Sequence, residues 1–118
     1  RVMEKNRKGA EGERLALRFL QREGFLLLEQ NYRAQRCEID LIMQDGETTV
    51  FVEVKARSSE RFGLGREAVT KRKQQNLLRA ATAYAAGHGL MEASLRFDVA
   101  EVALGTGRVT HIRNAFQA

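Results

Sequence analysis

The chain has 118 residues, 43% hydrophobic and 30% charged, with 20 Lys and Arg against 15 Asp and Glu for a formal net charge of +5. That composition fits one compact domain with its own core, excludes a disordered chain, and offers no apolar run long enough to span a bilayer as a helix. The excess of positive charge favours a polyanionic partner, nucleic acid first, and no membrane, while the single cysteine, Cys37, rules out an internal disulfide and a cysteine-based zinc site and suits a reducing, cytoplasmic compartment.

Residues 1–8, RVMEKNRK, read as a loose basic arm. No apolar segment follows them, so they do not form a secretory signal. Residues 9–24, GAEGERLALRFLQREG, read as an amphipathic helix closed by Gly24. At about 100° per residue, Ala16, Leu17, Phe19 and Leu20 form its buried arc, and Glu13 falls inside that arc. A carboxylate on a buried stripe calls for a partner; the alternative for Glu13 is a surface position paired with Arg14 or Arg18. Residues 25–31, FLLLEQN, suit a strand, and residues 37–44 and 48–57 suit a β-hairpin. Residues 58–67, SSERFGLGRE, are a polar loop, with Phe62 as a candidate contact for DNA.

Residues 70–86 read as a second helix, capped by Thr70 and ending near Gly87. Lys73 lines up with Leu77, Ala80, Ala81 and Tyr84. Lys71, Arg72 and Lys73 crowd the helix N-terminus, where positive charge opposes the helix dipole but suits a phosphate; Lys71 and Arg72 serve general electrostatic attraction. Residues 95–104 alternate as a strand, on which Arg96 and Asp98 form a structural ion pair. A turn at Gly105 and Gly107 leads into a last strand, residues 108–116. Helix, three strands, helix and two strands make a single α/β domain over 1–118, a mixed sheet flanked by helices.

The hairpin carries the chemistry. In EIDLIMQDGETTVFVEVK, residues 38–55, one face is almost purely aliphatic: Ile39, Leu41 and Met43 against Val50, Val52 and Val54. The other begins apolar at Ile42 and Phe51 and becomes Glu38, Asp40, Glu53 and Lys55. With Asp45-Gly46 as a two-residue loop, Gln44 pairs with Glu47, Asp40 lies opposite Phe51, and Glu38 lies opposite Glu53. Asp40 and Glu53 are then diagonal neighbours. A three-residue loop would put them on opposite faces. Carboxylates gathered in this way suit Mg²⁺ or Mn²⁺, which take oxygen ligands, and a nearby lysine offsets their repulsion further. The competing reading is a solvated pair on an edge strand.

An ordered set of segments spans nearly the whole chain: GAEGE (9–13), NYR (31–33), EIDLI (38–42), FVEVKAR (51–57), FG (62–63), KQ (73–74) and RFDV (96–99). Asp40 with Glu53-Val54-Lys55 resembles the core of the PD-(D/E)xK nuclease superfamily. GAEGER is similar to the first helix of archaeal-type Holliday junction resolvases, and the full pattern is closer still to the YraN-like family of small predicted endonucleases. The resemblance implies a restriction-endonuclease-like αβββαβ core and Mg²⁺- or Mn²⁺-dependent hydrolysis of phosphodiester bonds in DNA, selective for branched or junction structures. Junction cutting needs two sites and hence a homodimer. Asp40, Glu53 and the Val54 carbonyl would hold the metal, with Glu13 as a further ligand or an acceptor for a metal-bound water. Lys55 would hold the attacking water or stabilise charge on the phosphate. Glu38 would support the site by tying down Lys55 or Arg57, while Arg57 and Lys73 would contact phosphates, as Lys71 and Arg72 would more generally. The alternative is a non-catalytic nucleic-acid-binding module on the same fold; an adaptor with no nucleic-acid role is a third. The family usually has Gly where this chain has Cys37, a side chain expected to alter the bend before Asp40.

Overall fold

A computed structural model describes residues 2–58 and 69–117, with side chains from Gly9 onward. The elements are α1 (Val2–Arg22), β1 (Leu26–Ala34), β2 (Cys37–Asp45), β3 (Thr48–Arg57), α2 (Lys71–Gly87), β4 (Ser94–Ala103) and β5 (Arg108–Phe116). Helix α1 starts at Val2 rather than Gly9, so the segment expected as a loose arm has helical backbone. Its residues include Met, Glu, Lys and Arg, all good helix formers, and no Gly or Pro to stop the helix. The loop expected at 58–67, with Phe62, lies outside the described residues beyond Ser58.

The strands lie in the order β1-β2-β3-β4-β5; β3 and β4 are parallel and the other pairs antiparallel. The sheet is mixed, as expected, and α2 forms the crossover between its two parallel strands. Helix α1 packs Ala16 and Leu20 onto one face, over Leu41, Met43, Val50, Val52, Ala100 and Val102. Helix α2 packs Leu77, Ala80, Ala81 and Tyr84 onto the other, over Ile42, Phe51, Phe97 and Val99. Each large apolar side chain fully buried in this way contributes about 1.5–3 kcal/mol. Thr70 caps α2, its hydroxyl accepting the Lys73 amide hydrogen at 3.1 Å. This is the αβββαβ core of a restriction-endonuclease-like fold, with β5 added at one edge.

The hairpin turn corrects one expectation. Asp45 pairs with Thr48, so the two-residue loop is Gly46-Glu47, one residue later than expected. Gly46 has φ 61° at the first loop position, where a II′ hairpin turn favours glycine. Asp45 remains in the ladder because its carboxylate is held from outside the hairpin, by Arg96 at 3.1 Å and Arg113 at 3.2 Å. Pairing therefore moves along by two residues, which keeps the paired side chains from Leu41 to Asp45 and from Thr48 to Val52 on their expected faces. The ladder runs Met43↔Val50, Ile42↔Phe51 and Leu41↔Val52. Asp40 and Glu53 lie just beyond its last pair.

The alternation of β2 breaks at Asp40. Leu41 and Met43 pack under α1, but Ile39 packs under α2 with Ile42. The partner strand is distorted at the same level: Asn31, between the pairs Gln30↔Leu41 and Tyr32↔Ile39, has φ 51°. Asn tolerates this left-handed conformation better than most residues.

The expected Arg96–Asp98 ion pair is present at 2.9 Å and belongs to a larger network on the α1 side. Asp98, fully buried, also meets His111 Nε2 at 2.7 Å and accepts the Asn114 amide hydrogen at 2.9 Å. Burial pushes its pKa up, but hydrogen bonds from His111, Arg96 and Asn114 outweigh that and hold the carboxyl below its usual range. His111 in turn meets the rings of Phe19 and Phe25 edge-on.

Candidate metal centre

The site forms where β2 and β3 part. Beyond Leu41↔Val52, Asp40 replaces a ladder hydrogen bond with its side chain: Oδ2 accepts the Val54 amide hydrogen at 2.8 Å. This fixes the carboxylate against β3, beside Glu53. Burial and the neighbouring Glu53 charge push Asp40 up to about 7; the Val54 hydrogen bond opposes them, and Glu13 and Glu38 add smaller pushes. Two carboxylates that each disfavour the other's charge are a ready pair for a divalent cation.

Glu53 is the deeper of the two, only 7% exposed. Its Oε2 lies 3.6 Å from both Lys55 Nζ and Lys73 Nζ. Its Oε1 is buried and, among the described residues, has no hydrogen-bond partner. An unpaired buried carboxylate oxygen is costly, and a hard cation would satisfy it. The residues present thus fit Mg²⁺ or Mn²⁺: Asp40 and Glu53 supply oxygens, and Val54, whose amide holds Asp40, follows Glu53 directly in the backbone.

Glu13 faces this region from α1, but its Oε1 accepts from Asn31 Nδ2 at 3.0 Å. It reaches the site because Gly12 is buried against β3: a Cβ at Gly12 would stand 2.7 Å from Ala56 Cβ. Glycine here lets the helix touch the strand. Among the described residues, no three His, Cys, Asp or Glu side chains gather closely enough to form a metal-binding group. Glu38 pairs with Arg33 at 3.6 Å across the β1–β2 ladder, not with Lys55 or Arg57. That partner follows from register, since Arg33 is directly opposite Glu38.

Lys73 crosses from the first turn of α2 to Glu53, which matches its place on the apolar stripe. Lys71 and Arg72 are exposed. Arg57 is half-buried, with Nε unpartnered. Cys37 packs beside the α2-side core; burial pushes its thiol up, opposed by the nearby Lys73 charge.

Two residues of this neighbourhood escape the hairpin reading. Asn31, in the NYR segment, holds Glu13; its signal is an Asn at the kink of a strand. Glu101 on β4 is 2% exposed, level with Lys55 in the parallel pair, and its Oε2 has no hydrogen-bond partner among the described residues. Its signal is a carboxylate alternating with Phe97, Val99 and Ala103, otherwise apolar positions.

A family model described as "Uncharacterised protein family UPF0102" matches residues 12–102. A UPF0102 protein of Anaeromyxobacter dehalogenans is 46% identical over 110 residues, covering 92% of this chain and 82% of the relative. One from Alkaliphilus metalliredigens is 46% identical over 109 residues, covering 92% and 96%. One from Desulforapulum autotrophicum is 42% identical over 116 residues, covering 97% and 96%.

Proposed function

The chain belongs to the UPF0102 family, the YraN-like proteins its motif order resembles, and from that premise we propose that it is a metal-dependent nuclease hydrolysing phosphodiester bonds in DNA. The observation that carries this reading is the Asp40–Glu53 pair, in which Glu53 Oε1 is buried and bare while Oε2 faces two lysines. The bound Mg²⁺ or Mn²⁺ would polarise the scissile phosphate and lower the pKa of a coordinated water. Asp40 and Glu53 would hold that cation, joined by the Val54 carbonyl, with Glu13 reaching it through a water. Lys55 would hold the attacking water or stabilise charge on the phosphate. Lys73 and Arg57 would contact flanking phosphates, and Lys71 and Arg72 would draw the polyanion in. Branched DNA is the substrate class the resolvase resemblance favours, acted on by a homodimer in the cytoplasm.

The test is cleavage of linear and branched DNA with Mg²⁺ or Mn²⁺. Asp40→Asn and Lys55→Ala should each abolish cleavage with folding retained; full activity in either variant overturns the assignment of the site. The second reading, a binding module without catalysis, draws on the absence, among the described residues, of a group of three His, Cys, Asp or Glu side chains that could hold a metal. On that reading, DNA binds with strong salt dependence and Asp40→Asn leaves binding intact or tightens it.

A further inference from the structure

Glu53 Oε2 is shared by two ammonium groups, Lys55 Nζ and Lys73 Nζ, both at 3.6 Å. A divalent cation drawn to Glu53 competes with both. Lys73, 39% exposed, can turn back to water; Lys55, 28% exposed, lies lower against the sheet. The strand beside it carries another carboxylate. In the parallel pair of β3 and β4, Lys55 is level with Glu101. Alternation sends Glu101 to the same face: Val99 packs on the α2 side, while Ala100 and Val102 pack on the α1 side. Glu101 is 2% exposed and, among the described residues, its Oε2 has no hydrogen-bond partner. A buried carboxylate oxygen without a donor is a place prepared for one.

We propose that Glu101 is a positioning residue for Lys55, taking over its ammonium group when Glu53 is drawn to a divalent cation. The proposal rests on the reading of Asp40 and Glu53 as the cation site. Before the cation arrives, Lys55 neutralises Glu53; afterwards the cation takes that place at Glu53 and Lys55 neutralises Glu101. Lys55 thereby stays at the site instead of swinging into solvent. Arg57 is the competing donor, with Nε buried and unpartnered on the same strand face. It is level with Ala103, two residues beyond Glu101, and cation binding takes no partner from it.

The test follows the lysine ammonium groups by ¹⁵N NMR during a MgCl₂ titration of the full chain, with Lys55 assigned by its loss in Lys55→Arg. Carboxyl ¹³C shifts of Asp40 and Glu53 report cation binding in the same samples. In the wild type, those carboxyl shifts move and hydrogen exchange at the Lys55 ammonium stays as slow with Mg²⁺ as without. In Glu101→Gln, the carboxyl shifts still move, but exchange at Lys55 accelerates at least tenfold on Mg²⁺ saturation. Glu101→Asp, which keeps the charge but withdraws it by one methylene, gives an intermediate rate. Wild-type Lys55 exchange that accelerates tenfold with Mg²⁺ overturns the hand-over, as does unchanged exchange in Glu101→Gln. Protection appearing at Arg57 Nε–H instead also overturns it. If the wild-type Asp40 and Glu53 carboxyls do not move at all, the cation site itself fails and the hand-over fails with it.

Discussion

Asp40 Oδ2 accepts the Val54 amide hydrogen at 2.8 Å, at the point where the β2–β3 ladder stops. The bond anchors a carboxylate that its surroundings otherwise push toward neutrality, up to about 7. In the metal-free protein the folded pKa therefore lies above the ordinary value of 3.8. The stability this group contributes is fully present below about pH 4 and is lost as pH rises toward 7. Asp40→Asn keeps an acceptor for Val54 and removes the charge. Urea unfolding without divalent cations should show the variant more stable than wild type at pH 8, by roughly 1–4 kcal/mol, and similar to it at pH 4.

On the proposed reading of Asp40 and Glu53 as a cation site, the same group sets the pH dependence of cation binding. Below about pH 7, a cation at Asp40 must displace a proton, so affinity for Mg²⁺ should rise up to about tenfold per pH unit and level off above 7. Calorimetry in buffers of different ionisation enthalpy should find proton release approaching one at pH 6 and vanishing by pH 8. Asp40→Asn should remove that release.

Gly12 and Gly9 make a matched pair on α1. Gly12→Ala would drive a methyl into Ala56 Cβ, 2.7 Å away, whereas nothing lies within 4 Å of a Cβ at Gly9. Gly12→Ala should cost about 1–3 kcal/mol through overpacking. Gly9→Ala should be neutral or stabilise by up to about 1 kcal/mol through helix propensity. Thermal unfolding of the two variants checks the contrast.

Much of this was legible in the sequence. The helices, the strands and the shared face of Glu53 and Lys55 follow from alternation and helical periodicity, whereas the break of alternation at Asp40 does not. The turn position does not, because Asp45 is kept in its strand by Arg96 and Arg113, which lie far along the chain. Glu38 goes to Arg33 for the same kind of reason: strand pairing, not proximity in sequence, selects its partner. Glu101 is apparent as a misplaced charge on an apolar face, but its neighbour Lys55 is fixed only once β3 and β4 are known to be parallel and in register.

Asp98 supports the fold rather than the chemistry. Asp98→Ala removes a fully buried acceptor and leaves Arg96 with Asp45 as its one remaining acidic partner among the described residues, at an expected cost of about 3–5 kcal/mol in urea unfolding at pH 7. Because Asp98 is held below its usual range, its contribution is present above the ordinary carboxylate pKa and fades as pH falls through the folded value. The gap between wild type and variant should therefore narrow in acid.

Lys71 and Arg72 are exposed at the start of α2. If they meet nucleic acid as surface charges, Lys71→Ala and Arg72→Ala should each lower the slope of log affinity against log salt concentration by about 1, uniformly across DNA sequences. Binding titrations at several salt concentrations measure this. Unchanged slopes would move the nucleic-acid face away from this end of α2.

The short Gly46-Glu47 loop sets an order of assembly. Asp40, Glu53 and Lys55 are brought together by a single hairpin, while Lys73 and Glu101 arrive only through the crossover from β3 by way of α2 to β4. Hairpins close in about 1–10 μs, and parallel pairing waits on the closure of a much longer loop. As the chain emerges from the ribosome, the acidic half of the site precedes the lysine from α2 that later shares it. In that interval the proposed cation site would hold its carboxylates with one lysine fewer to compete for them.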